Sequence, residues 1–560
     1  MNTADMAARA SSRPAAAGGG FDTVADIVVA GGGAGGLPAA LFARWQGNDV
    51  ILLEKAPQLG GTANKAAFWY WVPNNRPMRE AGIVDEEEAF LRYVARLSRP
   101  QSYDPDSPTL GKDRWEFDAY RAFYRTASDA VELLAEKDAL VYRPCPEVPD
   151  YWSQIPEDEA AKGRVLVPAG ARESMSDGGK VAVASLSRAA YRDGVDVRLS
   201  HRVQRLIVDG GRVVGVEATT PDGRTVRVGA RKAVVFATGG FTHDPQLRYN
   251  FLSVPAYGGC GALTNEGDIV RITSRSGVQL RNMNHAWMCP IPLEKALRRD
   301  PEMSGMFSVA GDSTIFVNKA GRRTVNEKLP YNELAQHFFR WDPDKAEYPN
   351  LVMIQIWDRR SQEHSASDEY GRLIVPEGTP DYHVIKGDTF EELAANIAAR
   401  LESVRAHTGG LALEPDFVAN LRASIKRFNG FAEAGVDEDF HRGGQPIQFV
   451  FNGPVKEDPD KPNATMAPIS AEGPYYAALV TGGTLDTKGG PRTDVHGRIV
   501  DVEEEPIPGL YGVGNCTASA SAQAYWAGGA TIGPIIAQAY RAANAAHEET
   551  AATPETAAAV

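Results

Sequence analysis

Gly31, Gly33 and Gly36 stand in the spacing G-x-G-x-x-G, and an acid, Glu54, follows the last of them by 18 residues. Glycine at the first place permits a tight turn, and at the second it lets a ligand come close to the main chain. At the third it lets a helix pack hard against a strand. A helix starting there points its unpaired N–H groups at an anion. A carboxylate about 20 residues further on is placed to accept a hydrogen bond from a ribose hydroxyl. Together these residues have the chemistry to hold the pyrophosphate and sugar of a dinucleotide. A second kind of chemistry is offered near the C-terminus by AYWAGGATIGP, residues 524–534. A tight turn accounts for Gly528 and Gly529. It does not account for Tyr525, a hydroxyl-bearing ring set directly before a flexible joint.

The glycine spacing means little unless the right elements flank it. From Asp26 the chain reads DIVVAGGGAGGLPAALFARWQGNDVILLEKA: a short β-branched run, the glycines, a helix-like stretch and a second apolar run ending at Glu54. That is one βαβ unit. A second strand–glycine joint comes at KAVVFATGGFTHD, where Ala237, Thr238, Gly239 and Gly240 follow an apolar strand. Between the two, residues 196–230 alternate in strand fashion around Asp-Gly turn signals and read as hairpins. A third joint, IPGLYGVGNCTASASAQAYWAGGATIGPIIAQAYRAANAA, runs strand, glycines, loop and long helix. Nucleotide-binding elements therefore lie at both ends of the chain. Residues 291–480, which include the strand-and-turn stretch STIFVNKAGRR and the amphipathic FEELAANIAARLESVRAH, read as a different domain inserted into the first.

At 560 residues the chain is long enough for two or three domains. A net charge of −13, with no basic stripe carrying aromatics, argues against a nucleic-acid partner. The four cysteines are scattered with no CxxC pair, and the ten histidines form no tight cluster with them, so no metal site is expected. Scattered thiols suit a reducing compartment, hence the cytoplasm. The first twenty residues lack an apolar core of the secretory kind, and no apolar run reaches about 20 residues, so neither an export signal nor a membrane span is expected.

Five stretches occur in a fixed order: ADIVVAGGGAGG…VILLEKAPQLGGT, VFATGGF, VNKAGRRTVNE, LDTKGGPRTD and GLYGVGNCTAS…YWAGGATIGP. Together they resemble the flavoprotein family that contains fumarate reductases and 3-ketosteroid dehydrogenases, and the likeness covers nearly the whole chain between its two ends. WVPNN, TKGG and Y-x-x-x-G-A-T-I-G-P are similar to the ketosteroid Δ1-dehydrogenase branch, whose chemistry the smaller cyclohexanone and 4-oxocyclohexanecarboxylate dehydrogenases share. The resemblance implies an α/β fold: a discontinuous, Rossmann-like FAD-binding domain with an inserted α+β catalytic domain capping it. On this reading residues 1–20 are a loose tail, 21–290 and 481–545 the FAD-binding domain, 291–480 the cap, and 546–560 a second tail. The residues expected along FAD are Gly31, Gly33, Ala34, Gly35, Gly36, Glu54, Lys55, Gly60, Gly61, Thr62, Ala237, Thr238, Gly239, Gly240, Gly514, Asn515, Ala530, Thr531 and Ile532. Some relatives attach the flavin to a histidine in the N-terminal region. Here the first histidine is His201, so non-covalent FAD is expected.

Taking hydrogen from the two carbons beside a ketone requires a donor to polarise the carbonyl, a base for the α-proton and a hydride acceptor facing the β-carbon. The resemblance implies that Tyr525 donates its hydroxyl and Gly529 its backbone N–H to the carbonyl oxygen. It assigns the base to Tyr331, in NEKLPYNE, and a helping phenol to Tyr151, in VPDYWSQ. Trp152 stands where the family often has a second tyrosine, so the helper is less well marked; Tyr124 reads as core. A phenol ordinarily titrates near 10, so a tyrosine base needs nearby donors or positive potential. The helix starting near Ile532–Pro534 would turn its positive end to the flavin pyrimidine. Phe68, Trp69 and Tyr70 are bulkier than is usual before WVPNN. Either they narrow the pocket, favouring a cyclic ketone smaller than a steroid, or they face the core. The expected partners are the ketone and an external electron acceptor. Reduction of an unsaturated carboxylate, as in fumarate reductases, is the alternative. It calls for cationic clamps, yet Trp526 stands where an arginine should, and YYAALVTGG lacks the expected histidine. A non-enzymatic flavin module is disfavoured by the large inserted domain and the polar aromatics.

Overall fold

Runs of Val, Ile, Leu and Ala with no polar alternation have to be buried on both faces, which suits parallel strands between helices. In the computed structural model, which describes residues 20–172, 177–300, 309–363, 374–375, 380–452, 461–552 and 558–559, the strand Thr23–Ala30 lies at the centre of such a sheet. It pairs in parallel with Val50–Leu53 on one side and with the far half of Thr225–Phe236 on the other. Asp196–Arg198 extends the sheet beyond Val50–Leu53, and Pro506–Gly512 joins Thr225–Phe236, also in parallel. Ile27, Val28 and Val29 are fully buried. The near half of Thr225–Phe236 turns to antiparallel pairing with Arg212–Thr219, which pairs in turn with Arg202–Asp209. Helices Gly36–Trp45 and Ile532–Glu548 pack together beside this sheet, with Arg114–Glu136 against the second of them. The chain thus has the α/β, Rossmann-like architecture expected, assembled from both ends of the sequence.

A second, antiparallel sheet carries the inserted region. Its order is Ala286–Pro292, Tyr475–Thr487, Val352–Asp358, Thr314–Val317, with Ile385–Gly387 also on Tyr475–Thr487. Helices Phe390–Ser403 and Phe417–Ala434 share a separate core with it, built around Leu393, Ile397, Leu421 and Phe428. Two continuous strands, Ala286–Pro292 and Tyr475–Thr487, run between the two regions. Residues 1–19 of the expected N-terminal tail lie outside the described residues, as do 553–557 and 560 at the other end. The last helix runs past residue 545 to Glu548, since Ala546 is buried and His547 meets Asn48. Among the described residues no helix is long and apolar enough to cross a membrane.

Candidate active site

A cavity of about 850 Å³ opens between the parallel sheet and the inserted region. At one end it is floored by the first βα turn. Gly31 has φ +105° and sits so close to the neighbouring joint that a Cβ would lie 2.4 Å from the Ala237 carbonyl oxygen. A Cβ on Gly33 would meet only the Gly60 oxygen, at 3.6 Å, so this position is open towards the cavity. The amides of Gly33, Ala34 and Gly35 have no partner among the described residues and line the space. Glu54, just past its strand, accepts from the Gly32 and Ala56 amides at 2.7 Å each. Burial raises its pKa, and those two hydrogen bonds pull the other way. Lys55 is tied to Asp268 at 2.6 Å. His201 and Arg202 line this same end, the His201 ring bonded to the Leu199 oxygen at 2.7 Å.

Gly60, Gly61 and Thr62 continue the wall; the Thr62 hydroxyl accepts from the Ala262 amide at 2.9 Å and from Asn265 at 3.0 Å. Ala237, Thr238, Gly239, Gly514, Asn515, Thr531 and Ile532 also line it. Gly36, Gly240 and Ala530 do not. Gly36 is a packing position, where a Cβ would sit 1.8 Å from the Gly31 oxygen. Gly240 donates to buried Asp486 and is walled in by Thr487. Ala530 is fully buried and turns its amide to Ala527. The helix Ile532–Glu548 has no side-chain cap and no acid in its first turn, and the amides of Gly529, Thr531 and Ile532 find no partner among the described residues. Two helix N-termini with free amides therefore face one elongated set of walls. That suits a dinucleotide's phosphates at one end and an electron-rich ring at the other. Residues of this kind fit FAD. Among the described residues no group of three or more His, Cys, Asp or Glu is arranged to hold a metal ion.

The other end of the cavity is aromatic. Tyr151, Tyr331 and Tyr525, drawn from three distant parts of the chain, all line it. The Tyr151 and Tyr331 hydroxyls are 2.6 Å apart. The Tyr331 and Tyr525 rings meet edge-on with centroids 5.1 Å apart, and Tyr151 lies 5.4 Å from Tyr525. The Thr531 hydroxyl reaches the Tyr525 hydroxyl at 3.2 Å. Trp287 closes over Tyr525 at 4.8 Å, and Phe451 packs on both other tyrosines. Burial, then the neighbouring phenols, pushes Tyr331 well above the ordinary phenol value. Tyr525 is raised by burial too, with hydrogen bonds from Thr531 and Tyr331 opposing. Both are therefore neutral.

Each tyrosine is held by its own support. Val148–Asp150 precedes Tyr151, and Asp150 joins Asp85 and Asp158 around the fully buried Arg164, with Trp71 Nε1 donating to Asp150 at 2.7 Å. The loop before Tyr331 is braced by Arg323 on Glu327 and Asp437, and by Arg442 on Glu327. Gly528 and Gly529 are glycines because Trp69 lies on them: a Cβ on Gly528 would be 2.3 Å from the Trp69 ring, and one on Gly529 would be 2.6 Å from its main chain. Gly529 also has φ +88°. Phe68 and Trp69 line the cavity, so two of the three bulky aromatics narrow it. Tyr70 is fully buried and faces the core. Tyr124 is held away from the cavity by the Asp85 carbonyl. Sequence reasoning passed over Trp287, Phe451, Asn265 and Asp486. Only Asp486 left a local trace, as the one charged residue of the Tyr475–Thr487 strand.

Residues 26–532 match the family described as FAD binding domain. The chain is 33% identical to the 4-oxocyclohexanecarboxylate 2-dehydrogenase of Sinomonas cyclohexanicum, over 92% of each chain. It is 28% identical to the 3-oxosteroid 1-dehydrogenase of Mycolicibacterium smegmatis, over 92% of this chain and 96% of the other. Its fold superposes on the 3-ketosteroid Δ1-dehydrogenase of Sterolibacterium denitrificans with a TM-score of 0.78 at 24% identity, covering 94% of this chain and 99% of that one. With a phosphate cradle, a second helix N-terminus and whole-length kinship to dehydrogenases, the chain belongs to the FAD-binding-domain family and is an FAD-dependent oxidoreductase.

Proposed function

We propose that the protein desaturates a saturated cyclic ketone to the α,β-enone. The observation that carries this reading is the convergence of Tyr525, Tyr331 and Tyr151 with the unpaired Gly529 amide at the aromatic end of the cavity. Tyr525 and Gly529 grip the carbonyl oxygen and make the α-carbon acidic. Tyr331 takes the α-proton. To do so it first gives its own phenolic proton to solvent, and the Tyr151 hydroxyl, which donates to it at 2.6 Å, stabilises the phenolate that remains. Bound FAD supplies the hydride acceptor, N5, for the β-carbon. An external acceptor then takes the electrons.

Phe68 and Trp69 in the wall favour a ketone smaller than a steroid. The relative from Sinomonas cyclohexanicum, whose name gives it a one-ring oxo-acid substrate, points the same way. FAD is held non-covalently: His201 lies beside Glu54, at the end of the cavity away from the tyrosines. Four buried cysteines with no disulfide among them suit a cytoplasmic setting. Reduction of an unsaturated carboxylate is less well supported. Trp526, which stands in place of the expected arginine, is buried among aromatics with its Nε1 on Ser98 at 3.0 Å. The test is anaerobic bleaching of the yellow holoenzyme by cyclohexanone and by androstenedione, followed by turnover with a dye acceptor. Bleaching by cyclohexanone is expected. No response to any ketone, together with reoxidation of reduced enzyme by fumarate, overturns the proposal.

A further inference from the structure

Lys488 is fully buried, and among the described residues it has no ion-pair partner. Burial holds its amine well below the ordinary lysine pKa, with the Glu333 carboxylate pulling the other way, so its contacts matter. Its Nζ donates to the Ala522 oxygen at 3.0 Å and to the Ala524 oxygen. It also sits 3.9 Å from the centre of the Trp287 ring, the ring that closes over Tyr525. Lys488 thus reaches Tyr525 from two sides, through the peptide immediately before it and through the indole on its face. The segment it grips would not hold its shape unaided. Ala522 is a non-glycine residue at φ +45°. Neighbouring carbonyls are gripped in the same way: Ala520 by the Tyr120 hydroxyl at 2.9 Å, Gln523 by Asn332 at 3.1 Å, and Trp526 by the Tyr93 hydroxyl at 2.6 Å.

We infer that Lys488 is a positioning residue, whose N–H donors lock the loop 519–525 and thereby aim the Tyr525 phenol at the substrate carbonyl. It acts by geometry and not by charge. Its contacts run to the Ala524 peptide oxygen and to the Trp287 ring, not to the Tyr525 phenol oxygen. The inference rests on the ketone reading above for its kinetic consequence, but not for its structural one. A lysine amine suits the task because two carbonyls and a π face converge on one point within reach of its N–H groups.

The test is a double-mutant cycle with a second, substrate-free readout. Lys488→Met keeps the aliphatic stem and removes the donors. In the holoenzyme it is expected to slow cyclohexanone-driven flavin reduction at least tenfold, and to slow it less than threefold further when placed in Tyr525→Phe. The same fold-loss in both backgrounds, or less than a twofold loss in the first, overturns the inference, since a merely structural residue would act alike in both. Amide hydrogen exchange of a peptide spanning 519–530 is expected to rise at least tenfold in Lys488→Met holoenzyme, and unchanged exchange likewise overturns it. If Lys488→Met yields no holoenzyme, Lys488→Gln, which keeps one donor set, is read by the same criteria. A wild-type enzyme inert to every ketone defeats the proposed function alone; the exchange experiment still decides the clamp.

Discussion

Replacing Tyr525 with Phe removes one oxygen atom, and the structure bounds what that does. The hydroxyl is met by Thr531 at a long 3.2 Å and by Tyr331. A neutral hydrogen bond contributes about 1 kcal/mol net, so the folded state should lose about that much or less, and the ring's packing on Trp287 and Tyr151 remains. FAD content should therefore match the wild type. Catalysis is another matter. If the phenol is one of two donors to the carbonyl oxygen, its loss leaves the Gly529 amide alone. Removal of one such donor typically costs about 3–4 kcal/mol, or ~10²–10³ in rate. Anaerobic stopped-flow, following flavin bleaching by saturating cyclohexanone, isolates this step from reoxidation. A bleaching rate within about threefold of wild type, at full FAD occupancy, would refute the assignment of Tyr525. Gly529 offers no equivalent probe: at φ +88°, with the Trp69 main chain 2.6 Å from any added Cβ, even alanine would disrupt the joint.

Other perturbations follow from the same geometry. Tyr331→Phe should stop α-proton removal, seen as loss of deuterium wash-in from D2O at the ketone α-carbon, with FAD still bound; persistent exchange would remove Tyr331 as the base. Phe68→Ala should widen the cavity and raise kcat/KM for androstenedione relative to cyclohexanone at least tenfold; an unchanged ratio would mean Phe68 does not bound the substrate. Gly36→Ala should purify without flavin or fail to fold, because its Cβ would lie 1.8 Å from the Gly31 oxygen; normal FAD content would contradict the packing role. Burial raises Glu333 from its ordinary 4.5 to about 7, opposed by Asn332 and, less, by Lys488. The folded protein holds this proton more tightly than the unfolded chain, so the associated stability is complete below pH 4.5 and is lost as pH rises to about 7. The loss is about 3 kcal/mol, and Glu333→Gln should flatten that part of a denaturant-midpoint against pH curve; an unaltered slope would show that Glu333 does not titrate there.

Read alone, the sequence determined whatever is local. The fingerprint Gly31, Gly33 and Gly36 with its flanking strands and Glu54 is complete within 29 residues, since one βαβ unit dictates its own glycine needs. Tyr525 and Gly529 belong to one turn and were legible together. The antiparallel hairpins and the two-part sheet were legible as well, because apolar runs and Asp-Gly turns report periodicity and reversal directly. What a residue faces was not legible. Gly240 and Ala530 stand beside cavity-lining neighbours, yet both are packed inward, because facing is set by hydrogen bonds to Asp486 and Ala527. Phe68, Trp69 and Tyr70 are consecutive, and only the register with Val165–Pro168 sends the third into the core. The meeting of Tyr151 with Tyr331 across 180 residues, and the reach of Lys488 to the loop before Tyr525, depend on packing between the two sheets. Tertiary structure alone decided these, because side-chain direction at one position is fixed by partners that no stretch of neighbouring sequence contains.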